Sequence, residues 1–203
     1  MSDSSTKTKP TRRDLLRERL IDAAEAAIAA RGLSGLKARE IAAQAGCALG
    51  AIYTAFEDLD ELILRVNSRT LAQLETSLAT PTEGAKKGEL ARLAFAYLRY
   101  ARENEQRWRA LFEHRLPPEK PLPHWYAQDR DRLFGLLEAP LAELLPRQES
   151  PLRRQRARTL FSAVHGVVLL GLEEKLAPTP ASTLESQLSD FIDIVSRGMT
   201  RGE

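Results

Sequence analysis

The stretch from Lys37 to Phe56, KAREIAAQAGCALGAIYTAF, constrains the chain most, because its apolar residues keep helical spacings and are interrupted by a glycine. Ala38, Ile41, Ala42 and Ala45 mark one apolar face, Ile52 and Phe56 mark another, and Gly46 stands between them. Glycine takes the left-handed conformation without steric penalty, so Gly46 ends a first helix and lets the chain reverse within a few residues. A second helix, Leu49 to Phe56, then turns Ile52 and Phe56 inward and Gly50, Ala51, Tyr53 and Thr54 outward. Two short helices joined this way form a helix-turn-helix or a plain helical hairpin, since Ala-Gly turns also occur in helical proteins that bind nothing.

As a DNA reader, the motif has a definite division of labour. Small outward residues, Gly50 and Ala51 beside Leu49, let the second helix sit deep in a major groove. Tyr53 offers a hydroxyl to a phosphate and its ring to the sugar edge, and Thr54 meets a thymine methyl or a base-edge polar atom. Lys37 and Arg39 lie near the start of the first helix, within reach of phosphates. Arg12 and Arg13 belong to a basic N-terminal run with Lys7, Lys9, Arg17 and Arg19. That run is either an arm touching phosphates and the minor groove or a solvated tail.

The 203 residues carry a net charge of only +2, which excludes a polycation that coats nucleic acid indiscriminately, and 43 % hydrophobic content supports a real core. Cys47 is the lone cysteine, so no disulfide framework exists, and its place in the turn suits packing better than redox sensing. No apolar run approaches the roughly 20 residues of a membrane span, and the start is not signal-like, so a soluble cytoplasmic protein is expected. His114, His124 and His165 share no ligand spacing with Cys47, and no HExxH, GxSxG or P-loop pattern occurs. Neither metal, cofactor nor enzymatic activity is expected.

Periodicity gives an all-α chain without strand-like alternation. Residues 1–10 read as a mobile tail, 11–57 as a three-helix unit containing the motif at 37–56, 58–80 as a connecting helix, and 81–203 as a larger helical domain. Thr11-Arg-Arg-Asp14 and Asp58-Leu-Asp-Glu61 have the form of helix-opening caps, and Gly32 closes the first helix. Pro81, Gly84 and Gly88 mark a loop, and Pro140 is predicted to kink or break a helix from Trp125 to Leu145. Ser150-Pro151 and Ser182-x-x-Glu185 open two long amphipathic helices, about 150–176 and 183–200. These either complete the monomer core or pair with a second copy in a four-helix bundle.

The residues Gly32, Ile41-Ala42, Ala45-Gly46, Gly50, Ile52-Tyr53, Phe56 and Leu62-Ile63 closely resemble the DNA-binding domain of the TetR family of one-component transcriptional repressors. Three positions depart from that family's pattern. Leu36 and Ala48 replace the hydroxyl residues that open the two motif helices, each cap being worth about 1 kcal/mol, and Leu59 replaces a phosphate-binding lysine. Ser34 is the substitute cap expected for the first of these helices. Further on, Trp108, His165 and Gly166 resemble a WHG-type ligand-binding domain, with Gly166 letting a neighbouring helix approach closely.

The resemblance implies a homodimer, joined through the helices at 150–176 and 183–200, that presents two recognition helices to a palindromic operator on double-stranded DNA. It also implies a small-molecule effector. Tyr97, Trp108, Phe112, Trp125 and Phe134 supply aromatic area for an apolar cavity and His165 a polar handle, although each also reads as ordinary core. The rivals are a helical carrier or enzyme with a vestigial motif, and an activator or structural DNA-binding protein without effector.

Overall fold

The computed structural model describes residues 11–80, 88–173 and 179–200. Lys7 and Lys9, the loop residues Pro81 and Gly84, and the expected helix end near Leu176 lie outside them. The first helix, α1 (Arg12–Arg31), opens on a reciprocal capping box: the Asp14 N–H donates to the Thr11 hydroxyl at 3.1 Å, and the Thr11 N–H donates to the Asp14 carboxylate at 3.0 Å. It closes at Gly32, whose φ of 71° and ψ of −179° fall where side-chain-bearing residues are strained. A 3-10 turn, Leu33–Gly35, leads to α2 (Ala38–Gln44), α3 (Gly50–Ala55) and α4 (Leu59–Ala79). Beyond them stand α5 (Glu89–Glu103), α6 (Glu105–Glu113), α7 (His124–Leu144), α8 (Ser150–Leu172) and α9 (Ala181–Thr200).

Two apolar clusters organise these helices. In the smaller, Leu20, Ala24 and Ile28 of α1 meet Ile41 and Ala42 of α2, Ile52 of α3, and Leu62 and Val66 of α4. The larger gathers α5, α7, α8 and α9 around Leu64, Leu71, Leu74 and Leu78 of the same α4. The two faces of α4 thus enter different cores. Its N-terminus is fixed by Asp58, which accepts from the Glu61 N–H at 2.9 Å, while the Glu61 carboxylate takes the Glu57 N–H at 2.8 Å.

Several local expectations are corrected. Ser34 caps nothing: it lies exposed in the 3-10 turn, and α2 starts from Lys37, which is extended and makes no side-chain cap. Ser150 is already the first residue of α8, with Glu149 before it and Pro151 in the first turn, and α9 begins at Ala181, one residue before Ser182. Pro140 does not break α7, which continues to Leu144 with the proline ring buried. The packing of α7 against α4 and α8 offsets the ladder bond that proline cannot make. Nor does Gly166 admit a neighbour within the chain, because a Cβ built there has no atom within 4 Å. Gly171 is where helices close up, since a Cβ would lie 2.6 Å from Cδ1 of Leu184 on α9.

Gly32→Ala is expected to lower stability by about 1–3 kcal/mol through backbone strain alone, because the atom nearest its new Cβ is the movable Gln106 amide. Gly135→Ala, in open space on α7, is expected to gain up to about 1 kcal/mol from helix propensity. Urea unfolding of the two variants checks the contrast.

Candidate nucleic-acid interface and internal cavity

The motif holds its shape by burial on one side and cations at one end. Ile41, Ala42 and Ala45 pack on Ile52, Ala55 and Phe56, and Cys47 sits half-buried against them. Gly46 takes φ of 67°, after which the Cys47 N–H donates to the Ala42 carbonyl at 2.9 Å. The last carbonyls of α3 face α1: the Arg17 guanidinium donates to the Ala55 carbonyl, and Arg13 reaches the Thr54 carbonyl at 3.4 Å. Arg17 also pairs with Glu61 at 2.9 Å and lies 4.4 Å above the Phe56 ring. It is thus a strut between α1, α3 and α4, not part of a free arm. The positive charge meets the negative end of the α3 dipole.

The outer face of α3 carries Gly50, Ala51, Tyr53 and Thr54, with Leu49 exposed just before it. Tyr53 is 57 % exposed. The Thr54 hydroxyl donates to the Gly50 carbonyl at 3.2 Å, so toward a groove it offers lone pairs and a methyl group. Leu49 precedes α3 without a side-chain cap, one residue after Ala48. Leu59 is half-buried against the small core, so the residue at this position packs inward. Among the described residues no hydrogen bond or ion pair engages Arg12 or Arg39, both exposed. Lys37 is paired with Glu40 at 3.1 Å, and Glu40 also holds Arg31 at 2.7 Å. Three acids of α1, Glu18, Asp22 and Glu25, are all engaged by Arg69 of α4.

The larger core contains a small apolar cavity with about 30 Å³ open to a water-sized sphere, between α5, α7, α8 and α9. Of the aromatics expected there, Tyr97 and Phe134 line it. Trp108 and His165 stand behind Tyr97: the Trp108 indole N–H donates to the Tyr97 hydroxyl at 2.9 Å, and that hydroxyl lies 2.8 Å from His165 Nδ1. Phe112 covers the imidazole, with ring centroids 4.0 Å apart, and is itself 40 % exposed. Trp125 is elsewhere, stacked under Arg65 of α4 at 3.8 Å. Sequence reasoning passed over Phe161, which packs on Tyr97 at 5.4 Å and lines the cavity with Leu93, Leu133 and Val164. Its signal was the apolar stripe of α8. Burial pushes the Tyr97 phenol far above its ordinary value and lowers His165 from 6.5, so both groups are neutral at pH 7.

The helix that carries Trp108 reaches both cores. Trp108 is fully buried in the larger one, while Ala110, two residues on, is fully buried in the smaller. Around it, Asn67 of α4 donates to the Ala110 carbonyl at 3.4 Å, and Arg107 pairs with Glu25 of α1 at 2.8 Å. After α6, His114 meets Asp60 at 3.0 Å, and Lys120 pairs with Asp58, the cap of α4.

Comparison with known proteins follows the same division. Residues 20–66 match the model of the bacterial regulatory proteins of the tetR family, and residues 90–191 match that of the tetracyclin repressor-like C-terminal domain. The chain is similar to a transcriptional regulator from Rhodococcus sp. RHA1, at 26 % identity over 90 % of this chain and 96 % of that one, with a TM-score of 0.62. The fold is shared with a protein of unknown function from the same organism, at 20 % identity over 96 % and 98 % of the two chains and a TM-score of 0.70. It is shared too with a tetR-family transcriptional regulator from Streptomyces coelicolor, at 22 % identity over 91 % and 82 % and a TM-score of 0.65. No curated protein matches the sequence. With one model covering the reader and the other covering half of the chain, and an all-helical architecture to match, the chain belongs to the TetR family of transcriptional regulators.

Proposed function

We propose that the protein acts in the cytoplasm as a homodimeric repressor that a largely apolar small molecule releases from a palindromic operator. The observation that carries this reading is α6, whose Trp108 is bonded to the cavity wall while Ala110, Arg107 and Asn67 tie the same helix to α1 and α4. A cavity of about 30 Å³ holds about one or two waters. A drug-sized molecule needs ten times as much or more, so it enters only as the helices around Tyr97 part. That displacement is the differential interaction by which a ligand shifts a population between DNA-competent and DNA-released states.

The dimer contact falls on α8 and α9. Leu170 is 56 % exposed and Ile194 71 % exposed, and the open flank of Gly166 lies on the same helix as Leu170. Large apolar side chains left in water on two long helices suit a two-fold four-helix bundle, which sets two copies of α3 about one helical turn of DNA apart. In each half-site Gly50, Ala51, Tyr53 and Thr54 face the groove, and Arg12, Arg13, Lys37 and Arg39 face phosphates.

Selection from a random duplex pool is expected to recover a palindrome. On that site Tyr53→Ala and Thr54→Ala should each weaken binding about tenfold or more with little change in melting temperature, both side chains being exposed. Arg12→Ala should weaken binding evenly across sequences and reduce the salt slope by about one. No enriched site would remove the operator reading.

Sedimentation of the purified chain is expected to give a dimer, and Leu170→Arg with Ile194→Arg a folded monomer that has lost operator affinity. A double variant that still sediments as a dimer would place the interface elsewhere.

A further inference from the structure

Three side chains at the cavity wall form a hydrogen-bonded chain. Among the lining residues only Tyr97 has a polar side-chain atom. Its hydroxyl stands between Trp108 Nε1 at 2.9 Å and His165 Nδ1 at 2.8 Å. An indole N–H only donates, so the Tyr97 oxygen accepts from Trp108 and its single proton is directed to Nδ1. His165 is therefore neutral with its own proton on Nε2, and in this state the Tyr97 hydroxyl has a lone pair left to offer and no donor.

Adding one proton reverses the chain. A proton taken from solvent onto half-buried His165 turns Nδ1–H into a donor. The Tyr97 oxygen then accepts from both Trp108 and His165, and its own O–H is released to turn to a third acceptor. No bond to carbon changes, and the count is closed: one proton enters from water, and one positive charge settles on the imidazole. In an empty apolar cavity this state is costly, since a buried donor is left unpaired next to a partly desolvated cation. An anionic oxygen in the cavity satisfies the donor and neutralises the charge.

We propose that the cavity takes an apolar molecule bearing one carboxylate, and that each such molecule binds together with one proton on His165. This deepens the proposed function, resting on the reading of this cavity as the effector site. Among the described residues no carboxylate pairs with the imidazole. From α5 it meets Tyr97, from α6 Trp108 and Phe112, and from its own helix Phe161. The charged residues beside Trp108 are engaged elsewhere, Arg107 with Glu25 and Arg109 with Glu105 and Glu173. Burial lowers its titration from the ordinary imidazole value. The ligand's own carboxylate is thus the anion that stabilises the protonated ring.

A matched pair of probes tests this: 4-phenylbutyrate, and 4-phenylbutanol, which has a similar apolar body but carries a hydroxyl that can donate to the Tyr97 lone pair. Titration calorimetry is run on the full chain near pH 8 and pH 7, in two buffers of different ionisation enthalpy. The acid is expected to bind about tenfold tighter at the lower pH with uptake of about one proton, as linkage of one proton requires. The alcohol is expected to bind equally at both and take up none. His165→Asn, which retains a polar group but does not titrate in this range, is expected to abolish proton uptake and the pH dependence while leaving alcohol binding intact. Tyr97→Phe removes the oxygen that both probes contact and should weaken both; if it fails to fold, His165→Asn carries the test. Alcohol binding without acid binding, or acid binding without proton uptake, would overturn the relay and leave the effector cavity standing. Binding of neither probe would overturn both.

Discussion

The indole N–H of Trp108 has to find an acceptor inside the protein, and most of the architecture beyond the reader is arranged around that requirement. A fully buried donor without a partner costs about 1–3 kcal/mol. The Tyr97 hydroxyl relieves that cost, which fixes α6 against α5 and, through His165, against α8. The constraint is directional as well as energetic, because a donor-only group sets the direction of every proton behind it. The rings of Tyr97, Phe112, Phe161 and His165 then pack around the bonds and keep water from competing for them.

The other end of the same helix is held differently. Ala110 is buried in the reader's core, and the surrounding ties are charged: Arg107 to Glu25, and Arg69 to Glu18, Asp22 and Glu25. The pairs of Arg69 with Glu18 and Asp22 are exposed on the acid side and worth about 0–1 kcal/mol each, and the cohesion of α1, α4 and α6 comes mainly from Leu20, Ile28, Leu62 and Val66, all fully buried. What the ion pairs contribute is register. Glu25 is shared by two arginines on two helices, so a shift of α6 relative to α4 disturbs both contacts at once.

The reader was legible in the sequence because its determinants are local. Gly46 must take a positive φ, Ile52 and Phe56 must be inside for Tyr53 to be outside, and Thr11 with Asp14 forms a cap from residues three apart. Features that depend on partners distant in sequence were not legible. Nothing near Arg17 in the chain announces that its guanidinium will meet the Ala55 carbonyl and Glu61, and Trp125 reads like the other aromatics until α7 places it over Arg65. The glycines exchanged roles for a similar reason. Close approach depends on where α8 and α9 cross, and they cross at Gly171, not Gly166. Ser34 had the right chemistry for a cap but lies in a 3-10 turn, which leaves Lys37 to open α2 without one.

If the cavity is the effector site proposed above, its small volume and the buried polar bonds together set where a ligand's binding energy must go. A preformed pocket would take its ligand with little motion and so with little difference in affinity between states. Here the apolar volume is too small for such a molecule, so entry has to displace Tyr97, Phe134 or Phe161, and Tyr97 cannot move without loosening its bond to Trp108. Trp108 and Ala110 lie two residues apart on one rigid turn of helix, so a displacement of the first is carried to the second and to the α1–α4 pair around it. In the proposed effector reading, the apolar walls would supply the affinity, and the hydrogen bonds behind them would make that affinity depend on the position of the reader.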